Sequence, residues 1–222
     1  MILSIDTSLG TAVAVVEDDG VVRAEIANEN PLGHAEAIGR MLTEALAAAS
    51  VVGETASDVR AALTTVAAGM GPGPFTGLRV GIAAARTFAQ GRGIRVVPVV
   101  SHDAIALQVL LADAIRDIET PRFAVVTDAR RREFAYSVYD GLDDDGLPVR
   151  AVGPALVPRD DLDARLEELG ARRHDATAVP AAMVGIVASR ALAADRAVGP
   201  DEALYLRSPD VTLSAGPKRV TA

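Results

Sequence analysis

Gly69-Met-Gly-Pro-Gly-Pro-Phe-Thr-Gly-Leu-Arg-Val-Gly-Ile-Ala-Ala-Ala-Arg-Thr-Phe88 places four glycines and two prolines in its first nine residues and then runs into a helical pattern. Two readings compete. Glycines before a helix cradle phosphate, or they let another segment come close. A P-loop, G-x-x-x-x-G-K-[ST], needs a lysine at the phosphates, and here Gly77 is followed by Leu78. The dinucleotide pattern G-x-G-x-x-G is missed by one position, because Gly71 and Gly73 lead to Thr76. Pro72 and Pro74 also remove two backbone donors from any anion cradle. Close approach is the better account.

The helix after the loop supports it. At about 100° per residue, Arg79, Arg86 and Gln90 form one polar stripe, and Leu78, Ile82, Ala85 and Ala89 an apolar face suited to a sheet. Gly77, Gly81, Ala84 and Phe88 form another face, almost all small. A helix this apolar is buried on more than one side, and small residues admit another segment closely. That segment belongs either to the same chain or to a partner.

Outward from this stretch, strands are expected at Ile2–Ile5, Thr11–Val16 and Val21–Ile26, joined by short turns. In His34–Ser50, Ile38, Met41, Leu42, Ala45, Leu46 and Ala49 recur at helical spacing. Strand is expected again over Arg60–Ala68 and Ile94–Val100, and helix over Ser101–Ile118. A hairpin, Phe123–Thr127 with Glu133–Tyr139, surrounds Asp128-Ala-Arg-Arg131 and begins a second meander. Helices are expected near Asp160–Leu169 and Ala178–Ala193. A meander feeding crossover helices onto a mixed sheet defines an α/β protein. A first lobe is drawn over residues 1–100 and a smaller second lobe over residues 101–222, ending in a mobile tail from Ser214 to Ala222.

Composition narrows the chemistry. The 222 residues include no cysteine, which excludes disulfides, thiolate metal sites and a cysteine nucleophile. A net charge of −8 opposes bulk capture of nucleic acid. The apolar run Val179–Ala194 is broken by Ser189 and Arg190 and falls short of the roughly 20 residues of a membrane span. With no basic leader before the first strand, a cytoplasmic location without membrane contact is expected.

Four segments carry a family resemblance: ILSIDTS at 2–8, GMGPGPFTGLRVGIA at 69–83, VVTDARRREFAYSVYD at 125–140 and ALYLRSPD at 203–210. Together they resemble the TsaB (YeaZ) family. The resemblance implies a two-lobed actin/hexokinase/Hsp70-like (RNase H-like) fold. It also implies a non-catalytic subunit that pairs with the catalytic paralogue TsaD and the ATPase TsaE. That machinery attaches a threonylcarbamoyl group to adenosine 37 of tRNAs. The pairing uses the first two helices of each subunit. Carried over, the partner face comprises Ile38, Met41, Ala45, Gly77, Gly81, Ala84 and Phe88. tRNA is then reached indirectly, ATP or ADP sits at the complex interface and not tightly on this chain, and an exposed small-residue face favours a homodimer when the chain is alone.

The catalytic paralogue's H-x-x-x-H metal pair is not reproduced, since His102 is followed four residues on by Ala106. No metal site and no metallopeptidase activity are expected. Asp6, Thr7, Ser8 and Thr11 lie where this superfamily places its first phosphate hairpin. They either retain nucleotide contact or only shape a turn. Asp128 and Arg130–Arg132 take the matching place in the second lobe. The alternative function is an ATP-dependent phosphotransferase of the same fold, using Asp6 and Asp128. Gly170–Ala176 runs almost directly into the last helix, so the second lobe reads as trimmed, without the family's further strand.

Overall fold

The computed structural model describes residues 1–28 and 33–207; the tail read from Ser214 to Ala222 lies outside them. A first sheet contains β1 (Ile2–Asp6), β2 (Thr11–Val16), β3 (Val22–Asn28), β4 (Thr65–Gly69) and β5 (Arg95–Val99), in the order β3-β2-β1-β4-β5. β1 and β2 are antiparallel, with Ile2 opposite Val16 and Asp6 opposite Ala12. β4 runs parallel to β1. The second sheet holds β6 (Phe123–Asp128), β7 (Glu133–Leu142), β8 (Pro148–Pro158) and β9 (Arg172–Asp175), in the order β8-β7-β6-β9. Its pattern repeats the first: an antiparallel meander, then a parallel strand beside the first strand.

The helices interleave with the sheets. α1 (His34–Ala48) and α3 (Phe75–Arg92) cover one face of the first sheet, packing on Leu3, Ile5, Val13 and Val15. α4 (Ser101–Ile115) and α6 (Ala181–Ala193) pack on the alternate residues Ile2, Ala12, Ala14 and Val16, and reach Phe123, Val125 and Tyr139 of the second sheet. α5 (Leu162–Glu168) closes the outer face of the second sheet over Ala124 and Val126. Because both faces of β1 are covered, its five residues are all buried, which accounts for the unbroken run ILSID.

Four expectations need correction. The strand expected over Arg60–Ala68 is confined to β4; before it lies a short helix, α2 (Ala56–Ala62), started by a capping box between Thr55 and Asp58. The last helix starts at Ala181, after Pro180, not at Ala178. β8 was not anticipated, and β9 occupies the segment read as strandless. Its four residues, Arg-Arg-His-Asp, form an edge strand with a charged, largely exposed pattern that carries no apolar alternation.

Candidate functional site

The glycine loop is folded around the β1–β2 turn. Thr7 donates its hydroxyl to the carbonyl of Gly77 at 2.7 Å. A methyl group at Gly81 would lie 2.2 Å from Thr7 Oγ1, and one at Gly77 would lie 2.7 Å from the Thr7 carbonyl oxygen. At Gly73 it would meet Ser8 Cα at 2.8 Å, and at Gly69 the Asp6 carboxylate at 1.8 Å. The small-residue face of α3 is therefore filled from within the chain. Gly77 and Gly81 are out of a partner's reach, contrary to the expectation that they form a docking surface. Ile38, Met41 and Ala45 are buried too, on the sheet-facing side of α1. Only Ala84 and Phe88 of the expected face are partly exposed.

The four hairpin residues expected to touch nucleotide are also turned inward. Asp6, Thr7, Ser8 and Thr11 are each at most 2% exposed. Asp6 accepts from the Ser8 amide at 2.7 Å and from the Ser101 hydroxyl at 2.5 Å. Thr11 Oγ1 shares a 2.7 Å hydrogen bond with His34 Nδ1. Burial raises the Asp6 carboxyl to about 6, against the opposing hydrogen bonds from Ser101 and Ser8. A carboxylate so enclosed acts as a joint within the turn. In this turn it is Leu9 that reaches the cleft between the sheets.

Ser101, His102 and Asp103 open α4 and connect both sheets. Ser101 Oγ also accepts from the Gly71 amide at 3.1 Å. His102 Nδ1 lies 2.9 Å from Ser137 Oγ, and Nε2 3.0 Å from Thr127 Oγ1. Its pKa falls to about 3, through burial first and the nearby Arg150 second. Asp103 accepts from the Tyr139 hydroxyl at 2.6 Å and faces Arg150 Nε at 3.1 Å. Burial lifts it to about 6 against the pull of Arg150. No signal in the sequence paired His102 with Thr127 and Ser137; the nearer of the two is 25 residues away.

The second hairpin mirrors the first. Arg130 N donates to Asp128 Oδ1 at 2.8 Å, the same turn that Ser8 N makes on Asp6, although Asp128 is exposed. Arg130, Arg131 and Arg132 all take positive φ, 62°, 50° and 62°, which is costly for side chains other than glycine. Between this turn and Pro72–Phe75 lies a cleft of about 290 Å³, walled on a third side by Tyr205, Leu206 and Arg207. Among the described residues, no group of three or more His, Cys, Asp or Glu side chains is arranged to hold a metal ion. No helix among them is long and apolar enough to cross a membrane.

The comparisons agree with this architecture. Residues 15–162 match the family described as TsaD: tRNA N6-adenosine threonylcarbamoyltransferase, and the chain belongs to that family. An uncharacterized protein of Mycobacterium tuberculosis is 38% identical, over 94% of this chain and 92% of its own length. The tRNA N6-adenosine threonylcarbamoyltransferase of Streptococcus suis is 34% identical, over 61% of this chain and 42% of that enzyme. A solved Pseudomonas aeruginosa structure, described as similar to the peptidase YeaZ, superposes with a TM-score of 0.71 at 24% identity. The match takes in 93% of this chain and 99% of that one, so the fold is shared from end to end. The chain's place is in the tRNA threonylcarbamoyladenosine modification system, with a YeaZ-type fold.

Proposed function

We propose that the chain is a non-catalytic scaffold subunit that docks on a TsaD-like catalytic paralogue through the outward ridges of α1 and α3. The observation that carries this reading is Gly39. It sits in the interior of α1, is exposed, and has no described atom within 4 Å of where a Cβ would stand. A mid-helix glycine costs about 1 kcal/mol relative to alanine, and nothing inside the described chain calls for it. Ala35, Thr43 and Ala47 continue the same exposed ridge at four-residue spacing, and Val80, Ala83, Ala84 and Thr87 of α3 present small or short side chains to the outside. Such ridges let a second pair of helices pack closely.

On this reading the chain contributes by binding one state of the paralogue more tightly than another, in the cytoplasm. The paralogue carries the chemistry, a TsaE-like ATPase supplies turnover, and tRNA and ATP or ADP meet the assembly at or beyond the shared interface. Phosphotransfer by the chain itself has weaker support, because Asp6, Thr7 and Ser8 are enclosed and already hydrogen bonded.

The test is light scattering of the chain mixed with the paralogue from its own organism. Wild type should elute as a 1:1 complex. Gly39→Arg should abolish that complex with a melting temperature that is unchanged or raised. A wild-type chain that never binds would retire the scaffold reading, and a complex that survives Gly39→Arg would retire this ridge.

A further inference from the structure

After α6 the chain returns to the first sheet and then crosses the front of the molecule. Val198 bridges to Val99, and Gly199 lies so close to Pro98 that a Cβ would come within 2.7 Å of its carbonyl oxygen. Arg86 donates to the Asp201 carbonyl, and the Leu204 amide donates to the Met70 carbonyl at 2.7 Å. The Tyr205 ring lies 4.7 Å from that of Phe75. Arg79 stacks 3.7 Å above Phe75 and donates to the Tyr205 hydroxyl at 3.2 Å. All of these anchors belong to the first lobe. Arg207 then reaches across to Glu133 of β7, in the second. Tyr205, Leu206 and Arg207 form one wall of the 290 Å³ cleft.

We propose that residues 200–207 are a lid over this cleft, latched at its far end by Arg207 on Glu133. The two ends differ in kind. The near end is held by a backbone hydrogen bond and a tilted aromatic contact. The far end is held by a partly exposed ion pair, a contact worth little and weakened by salt. Glu133 Oε2 itself is closed off from water under the latch, and lifting Arg207 opens it to water, which replaces the lost partner. Motion is confined to the lid: behind the cleft the lobes are joined by Ser101, His102 and Asp103 and by a shared apolar core. A segment with few buried apolar contacts is the kind that opens locally while the core stays closed. The inference does not depend on which partner binds α1 and α3.

The full chain carries its own reporter. It has three tyrosines and no tryptophan; Tyr136 and Tyr139 are buried, whereas Tyr205 is 38% exposed. Acrylamide quenching of tyrosine emission and amide exchange at Leu204 should be compared in wild type, Arg207→Gln, and the charge-swapped Arg207→Glu/Glu133→Arg chain. Arg207→Gln should raise the quenching constant and speed Leu204 exchange about two- to fivefold, the range expected from losing one exposed ion pair. Exchange at core amides such as Leu3, in the middle of the first sheet, should not change. The swap should restore both readings, and high salt should make wild type behave like Arg207→Gln. Wild-type values in Arg207→Gln would overturn the latch. Exchange that quickens equally at Leu204 and Leu3 would overturn the lid.

Discussion

Ser101 and His102 are adjacent at the start of α4, yet they hydrogen bond to opposite sheets: Ser101 to Asp6 of the first, His102 to Thr127 and Ser137 of the second. Asp103 adds Tyr139 and Arg150. Three consecutive side chains therefore set the relation between two halves that each repeat the same strand order. All three are buried, so every bond but the partly exposed one to Arg150 is made away from competing water.

Removing the first of them tests the joint on the first sheet. Ser101→Ala leaves one Asp6 oxygen and the Gly71 amide without their best partner. Each buried orphan costs about 1–3 kcal/mol. A loss of about 2–4 kcal/mol in urea unfolding at pH 7.5 is expected, and a change below 0.5 kcal/mol (a level typical of surface substitutions) would show that Ser8 alone satisfies Asp6.

His102 makes stability depend on pH in a defined direction. Its folded pKa, about 3, lies below the ordinary 6.5, so the native state resists protonation that the unfolded chain accepts. Its contribution is whole above pH 6.5 and is lost progressively as pH falls toward 3. His102→Gln removes that dependence. Between pH 7.5 and pH 5.0 wild type should lose about 2 kcal/mol relative to the variant, one proton over 1.5 pH units. Parallel stability curves for the two chains would contradict the assignment.

Arg150 has the opposite pH signature through Asp103. The Asp103 carboxyl is raised to about 6, above its ordinary 3.8. The native state thus favours the proton, and Asp103 weighs against folding most above pH 6. Arg150→Met strips the only described cation from a buried carboxylate, which answers by taking up a proton, so the loss through its charge at pH 7.5 is about 2 kcal/mol, roughly 1.5 pH units above the folded pKa. The loss should be largest at pH 7.5 and clearly smaller at pH 5, where Asp103 is protonated in the folded chain. Equal losses at both would mean that Arg150 acts by packing alone.

Two glycines should respond in opposite senses to the same substitution. Gly81→Ala drives a methyl group into Thr7 and should destabilise by about 1–3 kcal/mol. Gly39→Ala meets open space and should stabilise the isolated chain by about 0.5–1 kcal/mol. Melting temperatures of the two variants settle the matter; matching shifts would refute the inward and outward assignment.

Much of this was legible in the sequence. The first meander, the hairpin that begins the second, the helix after the glycine loop and the layered α/β class follow from periodicity and turn residues. Close approach at Gly77 and Gly81 follows from the absent lysine and the two prolines, but the segment that comes close is Thr7 of the same chain and not a partner helix. What periodicity cannot supply is the identity of the neighbour. The face formed by Gly77 and Gly81 reads as small, but only the structure shows Thr7 filling it. The expected partner residues Ile38, Met41 and Ala45 are apolar for the sheet's sake. The outward ridge through Gly39 went unread because isolated small residues among charges produce no apolar stripe. β9 escaped for a related reason, since an edge strand bonded on one side tolerates charge.

The Thr7 hydroxyl inserted between Gly77 and Gly81 also bears on how the chain assembles. The two sides of this contact are some seventy residues apart, so it closes only after β1, β4 and α3 have all reached their places. Closing so long a loop costs entropy that grows only logarithmically with its length, and contacts of high sequence separation go with slower folding. It also works as a checkpoint: a helix docked one turn (about three residues) out of step would present Val80 and Ala84, or Leu78, to Thr7 in place of a gap, and would be rejected by collision, not by the loss of any favourable bond.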